Sequence, residues 1–340
     1  MVTTASAERA GIVYATTRQG YPVPVIDVSH PAFAVPDDAQ ALDTLRRTFA
    51  ESERQRKLLP HWMLKALVWW MGRRSRLARE LFTSDNSFLG GVSTYLMKVG
   101  APNLVPPFDT PLDRRLAAAP PIISMRMRLQ QLARLLAQGL QPELLARSAA
   151  PLHLINIGGG TAIDSLNTLI LLNRSAPAAL ASRSIVIHVL DGDTEGPELG
   201  RRALDALVQK GPLGGLTVEF VHVPYDWTHV STLAEVARQA SNSNAIIAAS
   251  TEGALFEYAD DPTVVANLNA LHGIPGLAAV GGTVTRADPL AREFLTTSRF
   301  KLIPRGAEAF GILAKQARFV VSRVESTLLS DQVLLRPEGS

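Results

Sequence analysis

The sequence predicts an α/β protein whose core is a doubly wound, mostly parallel sheet of seven strands, preceded by an N-terminal helical extension. Three observations predict it. From Pro151 onward, short β-branched runs alternate with stretches of helical period, the rhythm that places helices on both faces of a parallel sheet. The run Leu152–Ile157 ends on Gly158, Gly159 and Gly160, as a buried parallel strand does when it hands over to a tight turn and a helix. Hydrophobic residues make up 46% of the 340-residue chain against 19% charged, enough to fill a large core and too many for disorder.

The chain divides near residue 120, with an arm and a helical lid or extension over 1–120 and the sheet-bearing domain over 121–340. The opening stretch MVTTASAERAG has no apolar centre of signal-peptide length, and no run approaches the roughly 20 apolar residues that span a bilayer, which predicts a cytoplasmic protein without membrane association. There is no cysteine, so disulfides, thiolate zinc sites and a cysteine nucleophile are excluded. The net charge is +3; residues 1–150 hold 19 Lys and Arg against 12 Asp and Glu, and the remainder holds 15 against 19. That imbalance reads as a solvated basic surface, and no recognition motif accompanies it to suggest nucleic acid.

Residues 11–36 carry Pro22, Pro24, Pro31 and Pro36 in a short apolar run, which predicts an extended arm with His30 in a turn. From Asp37 to Arg79 the period is helical, with Asp37 or Asp38 as cap. Within it, the apolar segment from His61 to Met71, followed by Arg73 and Arg74, is expected to be a core or lid helix, with a membrane-surface helix as the alternative. Trp69 and Trp70 meet either their own core or a partner subunit, which leaves a homodimer open. The segment Asn86–Lys98 sets Gly90 and Gly91 before a short helix. A proline-rich connection over Pro102–Pro121 follows, and then a helix over Ile122–Gly139 with Met125, Leu129, Leu132, Leu135 and Leu136 on one stripe and Arg126, Arg128 and Arg134 largely off it.

Strands are expected at Leu152–Ile157, Ser184–Leu190, Leu216–Val223, Ala245–Ala249, Gly276–Val280, Phe300–Ile303 and Arg318–Val324. Ligands of open α/β sheets bind at the carboxyl ends of such strands, near the switch in strand order. The residues that follow the strands are Gly158 to Ala162, Asp191 and Asp193, Tyr225-Asp226-Trp227, Ser250-Thr251-Glu252, and Gly281-Gly282-Thr283. A carboxylate ending the second strand, Asp191, suits two ribose hydroxyls, because one ionised acceptor takes both hydrogen bonds. An acid and a flat ring after the third, Asp226 and Trp227, suit an adenine. Asp191 and Asp193 otherwise read as turn formers in Asp-Gly-Asp-Thr.

A dinucleotide fingerprint starting at Gly158 requires glycine where Ile163 stands, and no Gly-Lys-Ser or Gly-Lys-Thr marks a phosphate loop, so both phosphate readings weaken. The stretch Asn156-Ile157-Gly158-Gly159-Gly160-Thr161-Ala162 and the order of elements over about 122–335 resemble the class I S-adenosylmethionine-dependent methyltransferases, a Rossmann-like fold that closes on a strand hairpin. The resemblance implies S-adenosylmethionine as cosubstrate or substrate. Gly158, Gly159, Gly160, Ala162 and Ser250 would line it, with its ribose on Asp191 and its adenine near Asp226 and Trp227. It also implies a small-molecule partner, of secondary metabolism; no carboxylate–histidine cluster in the sequence has metal-ligand spacing, which predicts no metal. Two departures stand out: Ala162 replaces the third glycine, and Asn156 replaces the acid that helps hold the methionine ammonium. An amide there also fits the azetidine-2-carboxylate synthases, which look like class I methyltransferases with added N-terminal helices and close S-adenosylmethionine onto its own amine.

Candidate catalytic residues follow from those two chemistries. Methyl transfer is dominated by positioning and at times helped by a base, for which Glu252 is the candidate, with a helix-terminal acid as its plainer reading. Cyclisation needs neutral acceptors about the amine, Asn156 among them, and aromatic faces near the sulfonium, supplied by Tyr225, Tyr258 or Tyr95. His153, His188 and His222 alternate within apolar strands and read as strand-face residues. A dehydrogenase and a non-catalytic binding protein stand as further alternatives.

Overall fold

The computed structural model describes residues 9–58, 60–83, 90–242, 244–298 and 300–339. The expectations for residues 1–8 and for Asn86–Leu89 therefore lie outside the described residues. The arm is extended as its prolines require: strands β1 (Tyr14–Thr16) and β2 (Pro22–Pro24) pair antiparallel. Residues 37–79 give three helices where the sequence suggested one helical stretch: α1 (Ala39–Lys57), capped by Asp38, α2 (His61–Arg74) and α3 (Arg76–Thr83). Pro60 cuts the pattern between α1 and α2. Trp62, Trp69 and Trp70 of α2 are 70%, 62% and 42% exposed, with Arg73 and Arg74 over the rings of Trp69 and Trp70, so these three side chains lie outside the core.

Helix α4 (Gly91–Val99) follows, then α5 (Pro111–Ala117) inside the stretch expected to be a proline-rich loop. Thr110 and Asp113 close a capping box there, with proline in the first turn, a start signal that the proline count concealed. Helix α6 (Pro120–Ala146) outruns its expected bounds at both ends, since Pro120 and Pro121 sit where the missing N–H costs nothing.

The sheet domain then alternates β3 (Leu152–Ile157), α7 (Ile163–Ser175), β4 (Ser184–Leu190), α8 (Glu195–Lys210), β5 (Thr217–Val223), α9 (Ser231–Ser241), β6 (Ile246–Thr251), α10 (Leu255–Tyr258), α11 (Asp261–Leu271), β7 (Leu277–Thr285), α12 (Pro289–Thr297), α13 (Gly306–Gln316), β8 (Phe319–Ser326) and β9 (Ser330–Pro337). Residues Phe300–Ile303, expected as a strand, are irregular; the seventh strand is β9, antiparallel to both β7 and β8. The sheet order is β5-β4-β3-β6-β7-β9-β8, a doubly wound, Rossmann-like and mostly parallel seven-stranded sheet, with β3 and β6 side by side although two strands separate them in sequence. Their adjacent carboxyl ends form the switch point at which such sheets open a ligand crevice. Apolar residues of α6, α7 and α8 cover one face of the sheet and those of α9, α11 and α13 the other.

His153 and His188 lie on one sheet face with stacked rings and Nδ1 of the first 2.9 Å from Nε2 of the second. Burial, and then His153, hold His188 down to about 4 from its ordinary 6.5. The unfolded chain therefore takes up this proton first as the pH falls. Stability is expected to be complete above pH 6.5 and to be lost progressively toward pH 4, and His188→Gln should flatten that slope in urea unfolding measured from pH 7 down to pH 4.

Candidate active site at the glycine turn

The crevice at the switch point is a cavity of about 690 Å³. Its floor is the turn after β3, where Gly158 and Gly160 adopt φ of +66° and +56°. A side chain at Gly158 would strike Trp227 at 3.0 Å and Ala254 at 2.8 Å, so the indole lies directly over a bare stretch of main chain. The turn is anchored by Asp191, whose Oδ2 accepts from the Gly160 amide at 2.8 Å and whose Oδ1 accepts from the Asp193 amide at 2.8 Å. Asp191 lines the cavity, and burial holds its carboxyl above the ordinary range against the pull of those two amides. Ala162, with φ +50°, adopts the left-handed conformation that glycine would take without strain.

The N-terminal extension completes the wall. Gly91, at the start of α4, packs on the backbone of Gly160 and Gly196, and its amide donates to Asp193 Oδ2 at 3.1 Å. A methyl group on Gly91 would fall 2.8 Å from the Gly196 Cα. Gly91→Ala is accordingly expected to cost about 1–3 kcal/mol in urea unfolding, the usual penalty for overpacking. From this seat α4 sends Tyr95 and Lys98 to the cavity. The Tyr95 hydroxyl is tied to the arm, donating to the Pro24 carbonyl at 2.7 Å and accepting from the Ile26 amide at 3.1 Å.

Glu252 does not stand alone. It is buried at the cavity wall between Lys98, on Oε2, and Arg128, whose Nε donates to Oε1 at 2.5 Å. Arg128 Nη1 donates to Glu257 Oε2 at 3.2 Å, and Glu257 accepts from the Thr285 hydroxyl at 2.7 Å. Burial alone would raise the Glu252 carboxyl, but the charges of Arg128 and Lys98 outweigh it and hold the group below the ordinary range. A carboxylate stabilised in this way is a weak base. Burial pulls Lys98 below the ordinary lysine range despite its partner.

The structure brings Gly158, Gly159, Gly160, Asp191, Tyr225, Asp226, Trp227, Glu252 and Tyr258 to one cavity. Asn156, Ala162 and Ser250 lie behind its wall, buried, and underpin the turn. Asn156 Nδ2 donates to Asp164 Oδ1 at 2.7 Å, Ser250 Oγ at 3.0 Å and Ser165 Oγ at 3.2 Å, while its Oδ1 lies under Gly159 with no partner among the described residues. Burial, and then the charge of Glu252, push the Asp164 carboxyl up. Asp226 is exposed, and its Oδ1 accepts from the Thr228 amide and hydroxyl. The Tyr225 hydroxyl donates to Asn267 Oδ1 at 2.6 Å, and burial raises both it and Tyr258.

Lys98, Arg128 and Glu257 were missed as site residues by the sequence reading. Their signal was faint: Lys98 is the sole charge of an otherwise apolar and polar-neutral helix, and Arg128 sits beside the leucine stripe of α6. Among the described residues no group of three His, Asp or Glu is placed to hold a metal ion, and no helix is long and apolar enough to cross a membrane.

The sequence matches no family model and no curated protein. Among solved structures, the chain is similar to an O-methyltransferase of neocarzinostatin biosynthesis, solved with S-adenosylhomocysteine and 1,4-dihydroxy-2-naphthoic acid, at 18% identity and TM-score 0.33 over 54% of this chain and 49% of that one. It is similar to human N-acetylserotonin methyltransferase, solved with S-adenosylmethionine, at 13% identity and TM-score 0.37 over 64% and 56%. An O-methyltransferase family protein of Burkholderia thailandensis matches at 15% identity and TM-score 0.39 over 67% and 63%. The chain thus spans about half the length of the first two structures it matches.

Proposed function

We propose that this chain is an S-adenosylmethionine-using enzyme that promotes displacement at the sulfonium, with methyl transfer to a small molecule as the main reading. One observation carries it. At the switch point of the sheet, a side-chain-free turn, a carboxylate ending the second core strand and an indole over the turn line a single cavity, the three surfaces that an adenosine with a short zwitterionic tail requires. In this reading Asp191 takes the ribose hydroxyls, Trp227 covers the base, and the bare backbone of Gly158–Gly160 meets the tail. Glu252 positions Lys98 and Arg128 rather than accepting a proton. Ile122, Met125, Phe294 and Leu302 offer an apolar wall for the acceptor. Displacement on a methyl carbon is then chiefly a matter of holding nucleophile, carbon and sulfur in line, which the walls of such a crevice can do.

A second reading, intramolecular ring closure, is favoured by the groups under the turn. Where the family's motif carries an anion, this chain sets a neutral amide, Asn156, against a carboxyl, Asp164, that burial pushes toward its protonated form. An amine arriving nearby is less firmly held as ammonium. Its nitrogen would attack the γ-carbon as the carbon–sulfur bond breaks, the electron pair leaving with methylthioadenosine and the nitrogen's extra proton passing to solvent. Incubation of the protein with S-adenosylmethionine alone, followed by mass spectrometry, separates the readings. Methylthioadenosine with an azetidine acid identifies ring closure. Conversion to S-adenosylhomocysteine only after small phenols or acids are supplied identifies methyl transfer. Calorimetry that detects no binding of either nucleoside would overturn both.

A further inference from the structure

We propose that Lys98 and Arg128, held side by side on the two oxygens of Glu252, form the seat for a ligand carboxylate inside the cavity. The inference rests on the S-adenosylmethionine reading above for one of its two ligands and stands apart from it for the other.

The three side chains are 5%, 12% and 2% exposed, yet all three line the cavity, so their charged atoms meet the cavity and little other solvent. Arg128 commits one N–H to Glu252 and one to Glu257, and Lys98 commits one to Glu252. Three of the five guanidinium donors and two of the three ammonium donors therefore have no acceptor among the described residues. Each unmet donor of a cationic group forgoes a charge-assisted hydrogen bond that a ligand anion would supply. The chain also clears the approach. Gly253, at φ +73°, lies flat against the guanidinium, and a Cβ there would fall 2.1 Å from Nη2.

The electrostatics point the same way. Lys98 and Arg128 share Glu252, and Glu257, the second carboxyl on Arg128, touches that cation alone and is pushed up by burial, so a ligand carboxylate on the open side would accept the free donors of both cations. Ile122, Met125 and Phe294 in the same lining keep the dielectric low, which strengthens such a pair. A carboxylate can come from the methionine half of S-adenosylmethionine or from an acidic acceptor.

The test uses the intact protein and exchanges the ligand before any residue. In calorimetry, S-adenosylhomocysteine is expected to bind at least tenfold more tightly than its carboxamide, and Lys98→Met and Arg128→Lys are expected to shrink that ratio toward one while melting temperatures confirm folding. If acid and amide bind alike, the seat serves the acceptor. Benzoate titrated into the protein loaded with S-adenosylhomocysteine then binds the parent and neither variant. A ratio undiminished in both variants places the carboxylate elsewhere and overturns the proposal, as does the absence of any preference for acid over amide together with no benzoate binding. A protein that binds neither nucleoside overturns the cofactor reading instead, and benzoate titrated without nucleoside then decides the seat alone.

Discussion

Replacing Glu252 by alanine is expected to lower the stability of the protein by about 3–5 kcal/mol, the cost of leaving buried cations without their counter-charge. The side chain is 2% exposed and, among the described residues, is the one carboxylate that touches both Lys98 and Arg128. Without it, Lys98 loses its ion pair and Arg128 keeps only Glu257. The removal of one partner is more damaging than the removal of the set, so Lys98→Met combined with Glu252→Leu should recover part of the loss. The sign with pH follows from the same contacts. The cations hold Glu252 below its ordinary range, so their stabilisation is complete above the ordinary glutamate value and is lost as the pH falls through the depressed one. Urea unfolding of the single and double variants, followed from pH 7 downward until the parent loses this stabilisation, measures both effects. A single variant within about 1 kcal/mol of the parent would show that Glu252 neutralises nothing.

That cluster marks the boundary of what the sequence discloses. The strand Leu152–Ile157 and its glycine turn were legible because the signal is local: β-branched residues in a short run, then residues without a Cβ where the chain must turn. Asp191 was legible because position after a strand is itself a coordinate in this class of sheet. Lys98, Arg128 and Glu252 are 30 and 124 residues apart in the chain, and nothing in their separate neighbourhoods states that they meet. The same limit explains α2. The sequence left Trp69 and Trp70 open between their own core and a partner subunit, because exposure depends on what lies opposite, and apolar content does not report that. Phe300–Ile303 failed for a related reason, since a short apolar run lines a cavity as readily as it forms a strand.

Asp191 carries the second large effect, and its two tasks separate in the variants. Asp191→Ala is expected to weaken the binding of S-adenosylmethionine by about 2 kcal/mol or more, roughly 30-fold, the typical loss when hydrogen bonds to a charged group are removed. The carboxylate also ties Gly160 and Asp193 to one point, so its loss frees two backbone amides at the floor of the cavity. Asp191→Asn keeps one oxygen as acceptor and replaces the other by a donor, which cannot serve both a ribose hydroxyl and the Gly160 amide. If the carboxylate only braces the turn, affinities for S-adenosylhomocysteine and for its 2′-deoxyribose analogue should fall together in both variants. If it grips the ribose, the parent should prefer the ribose form and the alanine variant should lose that preference. Calorimetry with the two nucleosides makes the distinction, and a parent protein indifferent to the 2′-hydroxyl would remove Asp191 from the ribose while leaving the glycine turn where it is.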